Sequence, residues 1–114
     1  SLAIVDSGGA SLTYGALDRG ASAVAAALRD CGIGRGDRVG LAAPKTTRAV
    51  MALFGILKAG AAYVPVDSAA PVERARRIMA DCGVQAVVAT AGTLSFVPDT
   101  SRLVILLDEA GPRG

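Results

Sequence analysis

This chain of 114 residues is long enough for one domain or for part of a larger one. Hydrophobic types make up 52% of it and aromatic types only 4%, so alanine and aliphatic residues must fill the core, and a net charge of +2 with dispersed cations argues against nucleic-acid binding. Because histidine is absent and the two cysteines are far apart, a zinc site, a Ser-His-Asp triad and a Cys-His dyad are excluded within the chain.

A short hairpin and a first helix are predicted at the start. Residues 2–5 are apolar, residues 6–9 form a turn signal, and residues 11–13 can return as a second strand. Thr13 can cap a helix, and Gly32 can end it in the left-handed conformation. Between them, apolar residues recur at the spacing of one helix face: Leu17, Ala21, Val24 and Leu28.

A strand and a second helix are predicted next. Residues 38–43 form an apolar strand pattern, Thr46 or Thr47 can cap a helix that runs to Lys58, and Gly60 follows its end. Lys58 lies where a cation favours the C-terminal end of a helix dipole. Large apolar residues occupy most of the circumference, which predicts a largely buried helix: Val50, Met51, Leu53, Phe54, Ile56 and Leu57.

A second buried strand is predicted over residues 62–66, and Pro71 suits the first turn of a third helix. Glu73 is well placed near its start, and Gly83 can end it. Its apolar residues can share one face: Val72, Ala75, Ile78, Met79 and Cys82. The remaining elements are a strand over residues 85–89, an irregular stretch or short helix over 90–101, and a last strand over 102–107.

The order of these elements predicts the fold class. After the hairpin, helices and strands alternate with short connections, which is typical of an α/β protein with a mostly parallel sheet and helices on both faces. We expect three long helices centred near Ala23, Leu53 and Met79. The apolar run Leu103 to Leu107 should leave an open sheet edge that pairs with strands from the rest of a larger domain.

The two cysteines, the apolar runs and the first residue bear on disulfide formation, on cellular location and on whether the N-terminus is complete. Cys31 and Cys82 each follow an aspartate and precede a glycine at a predicted helix end, and we favour small buried hydrophobes over a disulfide. No apolar run is long enough to span a membrane and no signal peptide is evident, so a cytoplasmic location is expected. Because Ser1 is not an initiator methionine, we expect that the true N-terminus is missing.

Three glycine or acidic patterns resemble nucleotide-binding motifs but fail on detail. The Gly32-x-Gly34-x-Gly36 string follows a helix and opens a strand, the reverse of a phosphate-binding loop, so it indicates a helix stop and a turn. The segment 55–60 has P-loop glycine spacing but lacks the Lys-Ser/Thr pair. Residues 103–109 resemble a Walker B strand, yet without a P-loop they indicate a buried strand that ends in solvated acids.

Two polar features could have either a functional role or an ordinary surface role. The basic cluster on the third helix, Arg74, Arg76 and Arg77, is better explained as a solvated helix face than as an anion or partner site. Asp67 could be the phosphoacceptor of a receiver-like domain, with Asp108 and Glu109 holding Mg²⁺. That hypothesis needs an acidic pair after the first strand and a late lysine, but Asp6 stands alone and no lysine follows residue 58.

The segment from Leu57 to Asp67, LKAGAAYVPVD, resembles the second core motif of adenylate-forming enzymes, in the form typical of nonribosomal peptide synthetase adenylation domains. Residues 12–17 resemble the first core motif, with Ala16 where glutamate is usual. Residues 36–39 resemble the turn into the next strand, and residues 71–74 resemble the Pro-x-x-Arg helix start, although Ser68 stands where proline commonly follows the aspartate. The resemblance is strongest over residues 36–90 and weak after Gly92.

The resemblance implies a function for a longer protein. Such enzymes join a carboxylic acid to AMP with ATP and Mg²⁺, and then pass the acyl group to a carrier-protein thiol or to coenzyme A. The Ala-Tyr-Val-Pro-Val-Asp form favours the branch that serves carrier proteins, with an amino acid or aryl acid as substrate. Residues 1–114 would then be an incomplete N-terminal portion of an adenylation domain. The remainder of that domain would be the first binding partner of this segment.

No catalytic, cofactor-binding or metal-binding residue is assigned in this chain. The family's phosphate loop, adenine-stacking aromatic, Mg²⁺ acid, ribose aspartate and late lysine have no match here, so the resemblance implies that Tyr63 and Asp67 are structural. Two alternatives stay open: an acyl- or aryl-coenzyme A ligase of the same superfamily, and a non-catalytic α/β module with a structural or interaction role. No nucleic acid or membrane partner is expected.

Overall fold

The computed structural model of the chain describes residues 2–5 and 11–107. Strands β1 (Leu2–Val5) and β2 (Ser11–Thr13) form an antiparallel pair, which confirms the predicted hairpin. Three α-helices occur close to their predicted centres. The elements that follow the hairpin are α1 (Tyr14–Asp30), β3 (Arg38–Ala42), α2 (Thr47–Lys58), β4 (Ala62–Val66), α3 (Val72–Cys82), β5 (Ala86–Thr90), a 3₁₀ helix (Ala91–Phe96) and β6 (Leu103–Leu107).

The last four strands form one parallel sheet in the order β4-β3-β5-β6, with helices on both faces, as predicted. One face packs against α1 and α2, and the other packs against α3 and the 3₁₀ helix. The side chains of β5 alternate between the two cores: Val88 lies in the first and Val87 in the second. All positions of β5 are buried, because this strand has neighbours on both edges and helices on both faces.

The prediction that residues 62–66 form a buried strand is correct for the strand and wrong for its burial. β4 is an edge strand, and Ala62, Tyr63 and Pro65 are exposed. The Ala62 N–H donates to the Asp37 carbonyl at 3.0 Å, so alternation turns the backbone of Tyr63 and Pro65 away from β3. Proline is tolerated on an edge strand where it has no ladder bond to make.

The prediction that α2 is largely buried is also wrong. Phe54 and Leu57 are 42% and 49% exposed, and the buried face consists of smaller residues together with one large one: Thr47, Ala49, Ala52, Gly55 and Ile56. The reason is close packing of α2 on α1. A Cβ on Gly55 would lie 2.6 Å from Val24 Cβ, so only small residues fit where the two helices meet.

Helix α3 shows a similar departure, with Ala75 and Met79 buried but Val72 and Ile78 more than one third exposed. Its end agrees with the sequence analysis, since Gly83 has the left-handed conformation at a φ of 67°. The predicted helix stop and turn after α1 is confirmed as well. Gly32 and Gly36 have φ values of 75° and 88°, and the chain then enters β3.

Three arginines bind carbonyl oxygens at the C-terminal ends of helices. Arg29 donates to the Lys58 carbonyl at 2.7 Å, at the end of α2. Arg38 donates to the Cys82 carbonyl at 2.8 Å, and Arg102 donates to the Cys31 carbonyl at 2.5 Å, just beyond α1. These carbonyls have no partner within their helices, and a cation there is favoured by the helix dipole. Each arginine therefore ties a helix end to another segment.

Replacing Arg38 by methionine should lower the free energy of unfolding by about 1 kcal/mol, because it removes a charged hydrogen bond to a helix end while keeping most of the aliphatic stem. Urea denaturation of the purified chain measures this. Arg77→Met on the exposed face of α3 is the matched control and should change stability by less than about 0.5 kcal/mol. Equal losses in the two variants would contradict the capping role.

The cysteines are both free and partly buried, on opposite faces of the sheet. Cys31 packs against the core under α1 and α2, and Cys82 packs against the core under α3. Their packing against the cores confirms the expected hydrophobic role, although neither side chain is fully buried, and the alternative of a disulfide between them is wrong.

Candidate functional site

The motif segment, residues 57–67, spans the end of α2, a turn and the whole of β4. Gly60 makes the turn with a φ of 88°, and the Ala61 N–H donates to the Ile56 carbonyl at 3.2 Å. Lys58 reaches back to α1, where its Nζ lies 2.5 Å from Asp18 Oδ1 and 3.1 Å from Ser22 Oγ. The lysine of the motif thus joins two helices and lies at the opposite end of β4 from Asp67.

Asp67 directly follows β4, so the strand stops at this aspartate as predicted. Its Oδ1 accepts the Ala69 N–H at 2.9 Å and its carbonyl accepts the Ala70 N–H at 3.0 Å, so the side chain and backbone together hold the turn toward α3. The residue is exposed. This arrangement gives the carboxylate a local structural use at the end of an edge strand.

An open cleft of about 640 Å³ lies beside the motif segment, between α2 and β4. Tyr63 and Pro65 are in register with Val39 and Leu41, on the face of the sheet that α2 covers. Most of the lining is apolar, with Lys45, Asp67 and Ser68 as its polar members besides Tyr63. The cleft therefore presents a mainly apolar surface with a few polar groups.

A second candidate site is the gap between the carboxyl ends of β3 and β5. β3 continues toward α2 on one face of the sheet, whereas β5 continues into the 3₁₀ helix on the other. Ligands of open α/β sheets bind at such switch points.

In this chain the switch point is closed by two threonines. The Thr93 hydroxyl donates to the Ala42 carbonyl at 2.5 Å across the gap, and the Thr90 N–H donates to Thr93 Oγ1 at 3.0 Å. Both side chains are 3% exposed. The sequence predicts an irregular stretch or a short helix over residues 90–101 but not this pairing, for which the Thr-x-x-Thr spacing at a strand end is the available signal.

The basic cluster on α3 lies along an open groove with the segment 98–100. Arg74 and Arg77 are exposed, and Arg76 Nη2 lies 3.6 Å from the almost fully exposed Asp99. An ion pair at that distance and exposure contributes little to stability. The groove has the character of a solvated helix face, as predicted.

Metal-binding geometry is absent from the part of the chain that the structure describes. Over residues 2–5 and 11–107, no three histidine, cysteine or acidic side chains come together in a way that could hold an ion. Asp6, Asp108 and Glu109 belong to the receiver-like and Walker B hypotheses and lie outside the described residues.

Comparison with known proteins identifies the family. Residues 1–113 match the family described as AMP-binding enzyme. The chain belongs to the AMP-binding enzyme family. Surfactin synthase subunit 2 of Bacillus subtilis (strain 168) is 42% identical over 101 residues, which are 88% of this chain and 3% of that protein. The chain therefore spans only a small part of that relative.

Solved structures of AMP-binding enzymes share the fold. The nonribosomal peptide synthetase FmoA3 (S1046A) matches with a TM-score of 0.84 and 33% identity, over 93% of this chain and 11% of that one. A fatty acyl CoA synthetase of Mycobacterium tuberculosis matches with a TM-score of 0.75 and 25% identity, over 89% of this chain and 22% of that one. The resemblance found in the motif segment is thereby confirmed.

Membership in the AMP-binding family decides against the receiver-like hypothesis for Asp67, because the family match runs through the residues on which that hypothesis depends.

None of the helices in the described ranges is long and apolar enough to cross a membrane.

Proposed function

We propose that this chain is the N-terminal portion of an adenylation domain, within an enzyme that activates an amino acid with ATP and transfers it to a carrier-protein thiol. The observation that carries this proposal is the 42% identity to surfactin synthase subunit 2 over 88% of the chain, including the motif segment. The assignment to a carrier protein, with an amino acid or an aryl acid as substrate, is supported by the Ala-Tyr-Val-Pro-Val-Asp form of that segment.

The described residues do not fit ATP and Mg²⁺, so no step of the reaction is assigned to them. Phosphate transfer needs preorganised donors and a metal ligand set. The switch point is closed by Thr93, Lys58 is paired with Asp18, and the Asp67 carboxylate is used in a turn. The proposed role of this segment is to supply part of the rigid sheet on which the longer enzyme places its reacting groups.

An acyl- or aryl-coenzyme A ligase is the second candidate for the longer protein. It is supported by the structural match to the fatty acyl CoA synthetase, at 25% identity. A non-catalytic α/β module remains the candidate from another class. The coding sequence beyond residue 114 discriminates between them: a phosphate loop there favours a ligase, and an immediate stop codon favours the module.

The 114-residue chain alone should show no ATP–pyrophosphate exchange above background with any amino, aryl or fatty acid. Losing one oxyanion donor costs about 10²–10³ in rate, and residues 2–5 and 11–107 do not supply such a set of donors. The longer polypeptide that contains this chain is the positive control. It should exchange with amino acids and load a carrier protein; loading of coenzyme A instead would support the second candidate. Exchange by the 114-residue chain would contradict the scaffold role.

Replacing Asp67 in the longer enzyme should lower the free energy of unfolding more than it changes the affinity for ATP. Asp67→Asn keeps an oxygen that can accept the Ala69 N–H, whereas Asp67→Ala removes it, so alanine should cost about 1 kcal/mol and asparagine less. Thermal melting and ATP titration measure the two properties. A variant that keeps its melting temperature but loses adenylate formation would show that Asp67 takes part in chemistry.

A further inference from the structure

The carboxyl ends of β3 and β5 lie at the edge of the sheet where open α/β proteins bind their ligands. Two stretches of chain leave the inner strands there. Residues 43–46, here called the edge loop, lead from β3 into α2, and the 3₁₀ helix follows β5. Pro44 and Lys45 of the edge loop are exposed. The shape of this edge therefore depends on how the edge loop and the 3₁₀ helix are held relative to each other.

Threonine hydroxyls hold the edge loop at both of its ends. At its start, the Thr93 hydroxyl donates to the carbonyl of Ala42, the residue that precedes the loop, at 2.5 Å. At its end, Thr46 Oγ1 accepts the Ala49 N–H at 3.2 Å and caps α2. Pro44 lies between these bonds, and its ring fixes one backbone angle. Because so short a loop has little freedom under these restraints, its position follows that of the Ala42 carbonyl.

The bond from Thr93 to Ala42 belongs to the interior of the segment. Thr90 and Thr93 are each 3% exposed, and Ala42 is fully buried. Thr93 Oγ1 accepts the Thr90 N–H while its own hydrogen goes to Ala42, so one hydroxyl satisfies a donor of β5 and an acceptor of β3. Packing of further residues against the segment can only increase this burial. The bond is therefore a feature of the longer enzyme as well.

We propose that Thr93 is a positioning residue of the longer enzyme, which sets the geometry of the carboxyl edge through the Ala42 carbonyl and the edge loop. This inference rests on the proposed function, because it concerns the rate at which that enzyme forms an adenylate. Thr93 itself contacts no reacting atom. Its effect on rate arises because reacting groups must be held close to their productive geometry, and a displacement of about 1 Å can cost about 10²-fold in rate.

ATP–pyrophosphate exchange by the longer polypeptide tests the proposal, at a temperature at which circular dichroism shows every variant to be folded. Thr93→Val should lower kcat by about tenfold or more and change KM for ATP by less than about twofold, because positioning acts on the transition state more than on ground-state binding. Thr93→Ser keeps the hydroxyl and should retain kcat within about twofold of the wild type.

Gly55→Ala is the control for lost stability. Its overlap with Val24 lies in the second half of α2, away from the edge loop, and is expected to destabilise the fold by an amount similar to that of Thr93→Val. Its kcat should stay within about twofold of the wild type while the enzyme is folded. A role in stability alone predicts the same kcat for the two variants.

Hydrogen exchange locates the effect independently of activity. The Ala49 amide, which the Thr46 cap protects, should exchange faster relative to global unfolding in Thr93→Val than in Gly55→Ala. If Thr93→Val does not fold, Thr93→Cys, whose thiol is a weaker donor, takes its place with the same expected order.

Equal kcat in Thr93→Val and Gly55→Ala, a wild-type kcat in Thr93→Val, or equal exchange of the Ala49 amide in the two variants would each overturn the inference. With an active wild type, these results contradict the positioning role and leave the proposed function intact. A wild-type longer polypeptide without exchange would contradict the proposed function and this inference together.

Discussion

Gly55→Ala is expected to lower the free energy of unfolding by about 2–3 kcal/mol, although the same change in an unobstructed helix is favourable by about 0.5–1 kcal/mol. The new Cβ would lie 2.6 Å from Val24 Cβ and 2.7 Å from the Ala21 carbonyl oxygen. One of these atoms belongs to the α1 backbone and the other to a β-branched residue with little rotamer freedom. The two helices must separate to relieve the overlap, which loosens the core beneath them.

Gly20→Ala is the matched control at the same interface. Its Cβ would also overlap a neighbour, but that neighbour is the Met51 side chain at Sδ, Cγ and Cε. Methionine has three rotatable bonds and can turn aside. We expect a change of less than about 1 kcal/mol, since the gain in helix propensity offsets part of the repacking cost. Urea denaturation of both variants gives the comparison. Equal destabilisation would show that the gap between the helices, and not the rigidity of its walls, limits side-chain size.

Thr93→Val is expected to cost about 2–4 kcal/mol, from two buried groups that lose their partner at about 1–3 kcal/mol each. Valine has nearly the shape of threonine, so the change isolates the hydroxyl. The Ala42 carbonyl would lose its donor and the Thr90 N–H its acceptor, both inside the protein. The result would be a weaker joint between the carboxyl ends of β3 and β5.

Thr93→Ser keeps the hydroxyl and loses one methyl group, so it should cost only about 1 kcal/mol. Hydrogen exchange adds a local readout. In Thr93→Val the Thr90 amide should exchange faster, relative to global unfolding, than in Thr93→Ser. If the two variants were equally stable, the closure of the switch point would depend on packing alone.

The fold could be predicted from the sequence because its signals are local and repeated. The apolar face of α1 at Leu17, Ala21, Val24 and Leu28 is buried as the spacing requires, and glycines end the helices where expected. The alternation of strand and helix then leaves few topologies other than a parallel sheet.

The burial of individual side chains was harder to predict, because it depends on which other elements pack against each helix or strand. The large residues Phe54 and Leu57 indicated a buried helix, but Gly55 and Ala52 are the ones that meet α1 and the sheet. The sequence predicts a buried strand at Tyr63 and Pro65, because it does not show that β4 lies at the edge of the sheet in the described part of the chain. The Thr93 bond to Ala42 joins residues far apart in sequence and has no local pattern beyond the short Thr-x-x-Thr spacing.

The strand order also constrains the sequence of events as the chain folds. Val39 pairs with Tyr63 of β4 on one side and with Ala86 of β5 on the other. In the sequence, β4 is closer to β3 than β5 is. Contacts across shorter loops cost less closure entropy, so the β3-α2-β4 unit should form early. The central and most buried strand, β5, then docks onto a half-built sheet. Until β5 docks, the edge of β3 that pairs with it is unpaired and prone to aggregation.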